Sequence, residues 1–355
     1  MTPPTKRRKL RIILSVLLAL LLLAACGVLL LLHSGRGALR TAQSYDTQPF
    51  QEALDAAADP QDEEDEPDDS PVEEGVVVYQ GERYRYNDEI ITLLFLGIDT
   101  NETVEIQDIA GTGGQADTIF LLVLDPKNER IRMLGISRDT MTDIELYDLN
   151  GNYMGTDRNH LALAYAYGDG AQKSCELTEE AVSNLFFQMP IHGYCSINIS
   201  AIGILNDLVG GVTVTVTDED LEAIGFTLGE TLTLDAEQAE SYIRWRPDKD
   251  SVSNGRRMER QKDYAWRYIQ QAKEVFSENV LFPVQAVQAV SPYMVTDLSV
   301  SEISYLATLA VGLDFSIEDI QMVEGLETTT EIHDEFYASD SALYELILEV
   351  FYEKE

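Results

Sequence analysis

The feature that most constrains this chain is a run of 21 residues without a charged side chain, from Ile12 to Leu32. At ~1.5 Å rise per residue, a helix of this length spans about 31 Å, which matches a hydrocarbon core of ~30 Å. Five basic residues precede the run and two follow it closely, and this excess predicts an N-terminus on the inside. We therefore expect a cytoplasmic basic tail over residues 1–11, a transmembrane helix over 12–32, and a body outside the cytoplasm.

The same run has a second interpretation, a bacterial lipoprotein signal. Leu23-Ala24-Ala25-Cys26 has the form of a lipoprotein cleavage box. Signal peptides usually have a shorter apolar core of ~7–15 residues, and here apolar residues and glycine continue for six positions after Cys26. These observations favour an uncleaved single-span anchor, and both alternatives place the body outside.

The segment that follows is strongly acidic. The chain has 25 Lys and Arg against 62 Asp and Glu, a formal net charge of −37. Residues 41–74 contain 13 of these acids and no base, and such a segment cannot bury enough apolar surface to offset its chain entropy. We expect residues 33–75 to form a disordered linker. The negative charge also disfavours binding to nucleic acid, because the protein's own field repels phosphates.

From about residue 76 the chain becomes periodic. Continuous apolar runs at 89–99, 117–125 and 131–139 are typical of buried strands, and the short turn between the last two predicts an antiparallel pair in the centre of a sheet. Helical patterns lie at 160–168, 177–188 with Thr178 as N-cap, 200–209, 235–246 with Asp235 as N-cap, and 256–276. We expect an α/β fold, a mixed central β-sheet flanked by helices, over 76–280, with 281–355 as a C-terminal α/β extension packed on this domain or continuing it.

A dense basic cluster interrupts the acidic body. Its seven members fall within 19 residues: Arg244, Arg246, Lys249, Arg256, Arg257, Arg260 and Lys262. Arginine offers a rigid fork for bidentate binding of phosphate or carboxylate. The alternative is that these arginines pair with the protein's own surplus carboxylates. Arg256 is expected to be exposed and outside the binding set.

Acidic and basic side chains also stand at the ends of the apolar strands. Asp99 and Asp117 bound two of the apolar runs, where paired carboxylates together with substrate phosphate oxygens would suit Mg²⁺. An Asp at a strand end is otherwise usually a turn cap. Arg138 and Asp139 directly follow the third run, and their pairing is consistent with a phosphate clamp or with a structural ion pair.

Together these segments resemble the LytR-CpsA-Psr family of extracytoplasmic phosphotransferases. The resemblance covers about residues 90–275 and rests on LLFLGIDT (93–100), GQADTIFLLVLDPK (114–127), ISRDT (136–140), AYAYGDG (164–170), LVGGVTVTV (208–216), RWR (244–246) and RRMERQ (256–261). The expected topology, one N-terminal span and an outside body, also agrees with the family.

The resemblance implies transfer of a glycopolymer, of the teichoic acid or capsular polysaccharide type, from undecaprenyl pyrophosphate to peptidoglycan. It implies Mg²⁺ or Mn²⁺ as cofactor, hydrolysis of the pyrophosphate as a side activity, and a single-pass position in the cell membrane of a Gram-positive-type envelope. It assigns the metal to Asp99 and Asp117. Catalysis falls to Asp99, Arg138 and Asp139, with Asp99 and Asp139 left as alternative bases. Substrate binding falls to Arg138, Arg244, Arg246, Arg257 and Gln261.

Three departures from the family pattern leave an alternative function open. Gln115 stands where the family usually has a phosphate-binding arginine, Ser137 stands where it usually has proline, and His160-Leu161-Ala162 replaces Lys-Ile-Asn. The alternative is a non-catalytic module that binds polyprenyl phosphate or an anionic wall polymer. A transcriptional regulator is disfavoured because the expected cytoplasmic part, residues 1–11, is too short for a DNA-binding domain.

Two further features have two interpretations each. Cys175 and Cys195 would lie in an oxidising compartment, where they could form a disulfide if their Cα atoms are close enough. The apolar segments 161–167 and 181–187 have the size and spacing either to line a tunnel for a prenyl chain or to fill an ordinary core.

Overall fold

The structure is a computed structural model, and it describes residues 33–37, 39, 45–57, 73–107, 111–148, 150–245, 247, 251–329 and 334–355. The basic tail and the apolar run over 12–32 lie outside these residues, so the expected transmembrane helix stays a prediction. Within the described ranges, no helix combines the length and apolar character that crossing a membrane requires.

The described elements come in runs along the chain, and the first seven strands follow one another without an intervening α-helix. The strands are β1 Val76–Tyr79, β2 Glu82–Tyr86, β3 Ile91–Ile98, β4 Ala116–Asp125, β5 Arg130–Ile136, β6 Met141–Tyr147, β7 Tyr153–His160, β8 Tyr194–Asn198, β9 Thr213–Thr215, β10 Thr231–Thr233, β11 Met294–Thr296, β12 Ile320–Met322, β13 Gly325–Thr329, β14 Asp334–Ala338 and β15 Tyr352–Lys354. The helices are α1 Gln48–Ala57, α2 Leu161–Ala166, α3 Gln172–Leu185, α4 Ile199–Leu208, α5 Ala236–Arg244, α6 Ser251–Glu278, α7 Phe282–Val290, α8 Val300–Val311 and α9 Asp340–Phe351.

A six-stranded mixed sheet forms the centre, in the order β11-β8-β3-β4-β5-β12. The antiparallel trio β3-β4-β5 consists of the three apolar runs, as the sequence predicted. β8 runs parallel to β3, and β12 runs parallel to β5. As a result, the C-terminal ends of β3, β5 and β8 meet the N-terminal end of β4 at one edge of the sheet.

Helices cover both faces of this sheet, so the predicted α/β architecture is confirmed. One apolar cluster joins the sheet to α1, α2, α3 and α9, and another joins its other face to α6 and α8. A separate cluster fills the space between α4, α5, α6 and the small β9–β10 ribbon.

The C-terminal extension continues the domain rather than resting on it. β12 is an edge strand of the central sheet, and β15 pairs with β2. In α9, Ile347 and Phe351 are both 0% exposed within the main core. Removal of this extension would therefore open the core.

Part of the predicted disordered linker is folded, and the prediction for residues 33–75 is wrong there. α1 inserts Phe50 and Leu54, at 0% and 3% exposure, into the main core. Their spacing of four residues places them on one helix face. The high acid content of the segment conceals this short apolar face.

The helix starts show where local signals were sufficient. Asp235 caps α5 as predicted, with a capping box shared with Gln238. The predicted cap at Thr178 is wrong, because α3 begins at Gln172 and the Thr178 hydroxyl donates to the carbonyl of Ser174 inside the helix. α3 is therefore longer than its apolar pattern indicates.

The disulfide considered for Cys175 and Cys195 is not formed, and both are free thiols. Cys175 packs in the main core beside Tyr194, whereas Cys195 packs with Phe95 and Ile197 in a different cluster. Neighbouring residues of a strand face opposite sides of the sheet, so Cys195 points away from the side that Cys175 occupies. Burial raises the pKa of each thiol to about 12.

Candidate active site

The predicted strand-end residues lie side by side at the edge described above. Asp99 follows β3, Asp117 is the second residue of β4, and Arg138 lies two residues after β5. Neighbouring strands are ~4.8 Å apart, so the three positions form a short row across adjacent strands. The structure therefore brings three of the residues named from the sequence to one edge of the sheet.

A glycine allows the close strand approach at this point. The register between β3 and β4 shifts between Gly97 and Ile98, and the Asp99 amide donates to the carbonyl of Gln115. A Cβ at Gly97 would lie 2.9 Å from the Thr118 Cβ, closer than side-chain atoms normally approach. Any larger residue at 97 would push apart the strands that carry Asp99 and Asp117.

Arg138 contacts two carboxylates of the row, those of Asp117 and Asp139. Its Nη1 donates to Asp117 Oδ1 at 2.5 Å, and its Nε lies 3.5 Å from Asp139 Oδ1. Partial burial acts to lower the Arg138 pKa, but the carboxylates of Asp117, Asp139 and Asp99 outweigh it and raise the pKa above its usual value. His160 Nδ1 lies 3.6 Å from Asp139 Oδ1. The sequence analysis did not assign His160 a role, although its departure from the family pattern marked the position.

Arg244 contacts the remaining carboxylate of the row, that of Asp99. It ends α5, and its Nη2 donates to Asp99 Oδ1 at 3.1 Å while its Nη1 donates to Glu240 Oε1 at 2.9 Å. This contact joins residues 145 positions apart in the chain. Arg244 and Arg138 thus each hold a strand-end carboxylate, and both guanidinium groups remain accessible, with side chains 43% and 40% exposed.

The rest of the basic cluster divides into structural and candidate binding residues. Arg260 is buried, pairs with Asp218, and donates to the carbonyls of Tyr242 and Trp245 at the end of α5. Burial lowers the Arg260 pKa to about 10, so this side chain stays charged at neutral pH. It ties α6 to the end of α5, and so positions Arg244.

Arg256 is not the isolated exposed residue that the sequence analysis expected. Its side chain pairs with Asp220 at 2.7 Å and with Asp218 at 3.4 Å. The interpretation that basic side chains pair with the protein's own carboxylates is therefore correct for Arg256 and Arg260. The signal for this was the acidic run Asp218-Glu219-Asp220, which the sequence analysis did not connect with the cluster.

The structure describes two of the three remaining predicted binding residues, Arg257 and Gln261. Arg257 and Gln261 lie one turn apart on α6 and are half-buried, and the Gln261 amide donates to the carbonyl of Ile243 at 3.3 Å. Gln261 is therefore next to the last turn of α5, which carries Arg244. Arg246 lies outside the described residues.

The carboxylates at the row do not form a complete metal cage by themselves. Across the described part of the chain, no group of three or more His, Cys, Asp or Glu side chains is arranged to hold a metal ion. Mg²⁺ commonly binds through one or two carboxylates together with substrate phosphates. Asp99 and Asp117 fit that incomplete donor set.

The apolar segments considered for a prenyl tunnel contribute to the core. Leu161, Ala164 and Tyr165 of α2 and Val182 of α3 are buried in the main cluster. A cavity of about 350 Å³ lies nearby, but its walls are largely polar: Glu176, Glu179, Glu180, Ser183, Gln188, Pro190 and Ile191. This cavity is beside the start of β8, at the edge of the sheet opposite to the row.

Comparison with known proteins identifies the class to which this fold and site belong. The sequence profile of the LytR_cpsA_psr family matches residues 51–345. The chain therefore belongs to the LytR-CpsA-Psr family, as the motifs indicated.

Curated relatives carry names that describe one activity. A protein of Enterococcus faecalis named polyisoprenyl-teichoic acid–peptidoglycan teichoic acid transferase TagU is 31% identical over 223 residues, covering 62% of this chain and 66% of that protein. The corresponding transferase TagV of Bacillus subtilis is 31% identical over 179 residues, covering 48% of this chain and 41% of that protein. The matches thus span two thirds or less of the length of these relatives.

Solved structures share the fold. The crystal structure of B. subtilis TagV superposes with a TM-score of 0.55 at 23% identity, covering 74% of this chain and 95% of that one. A structure described as TagT bound to LIIa-WTA gives a TM-score of 0.54 at 22% identity, covering 74% of this chain and 89% of that one. At this level of identity, the similarity establishes the common architecture.

Proposed function

We propose that this protein is a phosphotransferase that moves a glycopolymer from undecaprenyl pyrophosphate to a hydroxyl of peptidoglycan. The observation that carries the proposal is the row at the sheet edge, in which Arg244 holds Asp99 and Arg138 holds Asp117 and Asp139. Two accessible guanidinium groups with interspersed carboxylates match a substrate that carries two phosphates and a reaction that moves one proton. The names of the curated relatives support the same activity.

The arginines would bind the pyrophosphate by exchanging partners. In the structure each guanidinium contacts two carboxylates, and the side chains of Arg138 and Arg244 are still 40% and 43% exposed. Phosphate oxygens accept bidentate hydrogen bonds from arginine, and donors fixed before the reaction stabilise charge that develops at the transferred phosphoryl group. Arg257 and Gln261, beside the end of α5, would extend this binding surface along α6.

Asp99 and Asp117 would hold Mg²⁺ or Mn²⁺ together with phosphate oxygens of the substrate. When bound, the ion would offset negative charge on the pyrophosphate. The protein's own contribution is to keep the two carboxylates on adjacent strands, with Gly97 allowing their approach.

Asp139 is the base that the geometry favours over Asp99. Asp99 is engaged by Arg244 and assigned to the metal, whereas Asp139 lies on the far side of Arg138 near His160. Asp139 would accept the proton of the attacking hydroxyl as its oxygen bonds to phosphorus. The bond from that phosphorus to the bridging oxygen breaks, and polyprenyl phosphate leaves. With water in place of the hydroxyl, the same steps give the pyrophosphatase side activity.

The proposed setting is the outer surface of the cell membrane, with residues 12–32 as a single-span anchor and the N-terminus inside. The apolar run and its basic flank support this topology. A reporter fused after Glu355 should be active only outside the cytoplasm. Activity inside the cytoplasm would contradict the topology without touching the assignment of the site.

A non-catalytic binding module is the second candidate, and one observation favours it. Gln115 replaces the usual arginine, and it lies at the row through the bond between its carbonyl and the Asp99 amide. A site with one phosphate-binding cation fewer could hold its ligand without turning it over. Replacement of Gln115 by Arg distinguishes the two, because it should raise turnover of an active enzyme but only the affinity of a binding module.

The direct test is transfer in vitro with the purified full chain, Mg²⁺, a polyprenyl-pyrophosphate-linked glycopolymer and uncrosslinked peptidoglycan strands. The covalent product is detected by its mass. We expect Asp99→Asn, Asp117→Asn and Arg138→Ala each to reduce transfer by about 10²-fold or more, the scale reported for loss of one preorganised electrostatic contact.

Asp88→Asn is the matched control. Asp88 is an exposed aspartate in the turn before β3, at the opposite end of the strand that leads to Asp99. The control should keep full activity. Full activity in the three site variants would refute the assignment of the row, and donor binding without any product in the wild type would leave the binding module as the function.

A further inference from the structure

Two β-hairpins lie directly beside the candidate catalytic residues. β6–β7 begins two residues after Asp139 and ends at His160. In the β13–β14 hairpin, the Phe336 amide donates to the Asp139 carbonyl at 2.9 Å, and Phe336 forms a bridge with Thr140. Both hairpins are therefore anchored at the proposed base, on the side away from Arg244.

One face of the β6–β7 hairpin is buried and the other faces solvent. Thr142 and Ile144, at 7% and 1% exposure, pack inward. Alternate residues of a strand share a face, so Asp143 and Glu145 lie on the outer face with their partners Arg158 and Thr156. We call this outer face, together with Tyr153 and Tyr337, the hairpin surface.

Two tyrosines give the hairpin surface an aromatic character. Tyr153 is 56% exposed, and its hydroxyl contacts the Thr156 hydroxyl on the same face. Tyr337 of β14 is 38% exposed, and the Arg158 guanidinium lies 5.8 Å from its ring centroid. Both tyrosines thus border the same outer face, although they belong to different hairpins.

The charge of this surface determines what it can bind. By register, the hairpin surface carries three carboxylates, Asp143, Glu145 and Glu335, against one arginine, Arg158. Such a surface repels a phosphate-rich polymer. Carboxylates accept hydrogen bonds from hydroxyl groups, and exposed tyrosine rings combine an apolar face with a polar tip. This combination matches an uncharged sugar chain.

We propose that the hairpin surface binds the uncharged sugar backbone of the acceptor, which reaches the row from the side of Asp139. The proposal rests on the function proposed above and adds a direction to it. The anionic donor is held on the arginine side of the row, and the neutral sugar backbone of the acceptor is held on the acidic, aromatic side. The acidic side repels the anionic donor and leaves that place to the acceptor.

The test measures binding of two probes to the purified full chain in detergent micelles. One probe is a linear, uncharged hexamer of β-1,4-linked N-acetylglucosamine, and the other is a polyprenyl pyrophosphate. Replacement of both Tyr153 and Tyr337 by Ala should weaken binding of the sugar hexamer about tenfold or more, which corresponds to ~1.4 kcal/mol. Binding of polyprenyl pyrophosphate should not change.

Two control variants separate ring contact from general damage. Replacement of both tyrosines by Phe keeps the rings and should retain the wild-type affinity for the hexamer. Leu228→Ala removes another exposed apolar side chain, 49% exposed and outside the hairpins, and should also have no effect. The circular dichroism spectrum and melting temperature of each variant show whether it is folded. If the Ala pair is unfolded, the Tyr153→Ala and Tyr337→Ala single variants are measured, and each should show part of the loss.

The proposal is overturned if the wild type does not bind the hexamer, or if folded alanine variants bind it as the wild type does. It is also overturned if a poly(glycerol phosphate) chain binds the hairpin surface more tightly than the hexamer. Failure to bind polyprenyl pyrophosphate instead contradicts the proposed function, and hexamer binding would then identify a glycan site without transfer chemistry.

Discussion

Removal of the Arg260 side chain should be among the most damaging single changes to this protein, although Arg260 is not in the binding set. Its side chain is 2% exposed, and that of its partner Asp218 is 4% exposed. Loss of one member of a buried ion pair leaves an uncompensated charge and costs ~3–5 kcal/mol. Arg256 lies 3.4 Å from Asp218 and would compensate in part, so we expect the lower end, about 3 kcal/mol, for Arg260→Ala.

Arg256→Ala is the matched comparison, since it removes the other arginine that contacts Asp218. The Arg256 side chain is 38% exposed, Asp218 keeps its buried partner, and exposed ion pairs contribute ~1 kcal/mol or less. Arg256 and Arg260 lie on adjacent turns of α6. Their replacements by Ala should therefore lower the free energy of unfolding by amounts that differ by about 2 kcal/mol or more.

The assay is urea unfolding of the purified full chain, with the midpoint compared at constant slope. The melting temperature is a second readout, and 3 kcal/mol corresponds to a decrease of roughly 6–12 °C. Arg260→Ala should also weaken binding of polyprenyl pyrophosphate, because the Arg260 bonds to the carbonyls of Tyr242 and Trp245 hold the end of α5 in place. Equal unfolding free energies for the two alanine variants would refute the division into structural and binding arginines.

Three further predictions concern the core, pH and the thiols. Phe50→Ala should cost ~3–5 kcal/mol in urea unfolding because Phe50 is fully buried, and an unchanged midpoint would show that α1 is not part of the core. Burial, followed by the nearby carboxylates of Asp297 and Glu176, raises the pKa of Glu179 from 4.5 to about 7. Between pH 4.5 and 7 the folded state therefore holds a proton that the unfolded state has lost. The contribution of this proton to the free energy of unfolding is complete below about pH 4.5 and disappears as pH rises through 7. The melting temperature of the wild type should fall more between pH 5 and pH 8 than that of Glu179→Gln, by an amount equivalent to ~2 kcal/mol or less after allowance for solvent screening, and parallel decreases would refute the assignment. Cys175 and Cys195 should both react with a maleimide after denaturation without reductant, whereas protection of both would reveal a disulfide.

The sequence determined the three central strands and marked the polar residues at their ends, because both depend on local patterns. Apolar runs such as Ile91–Ile98 can be buried on both faces only in the middle of a sheet. Polar residues at the ends of these runs leave the core, and the antiparallel order of β3, β4 and β5 brings Asp99, Asp117 and Arg138 to one edge. Asp235 was equally predictable, because a capping box involves residues only three positions apart.

Short apolar patterns within charged segments were not sufficient to predict which residues enter the core. Phe50 and Leu54 form a face of two residues in a segment that composition alone assigns to a linker. Only the tertiary structure shows the aromatic surface that Phe50 packs against, Tyr344 of α9 and Tyr352 of β15. Likewise, the spacing of Cys175 and Cys195 along the chain does not reveal that the second points to the other side of β8.

The division of the arginines was decided by tertiary structure alone. In the sequence, Arg244, Arg256 and Arg260 belong to one dense basic cluster with the same side-chain chemistry. In the fold, Arg260 meets Asp218, 42 residues away, inside the protein, whereas Arg244 meets Asp99, 145 residues away, at an open edge. The difference between the structural Arg260 and the proposed binding residue Arg244 is thus the solvent exposure of a distant partner. Composition and local charge carry no information about that exposure, because it arises only when the sheet edge and the ends of α5 and α6 come together.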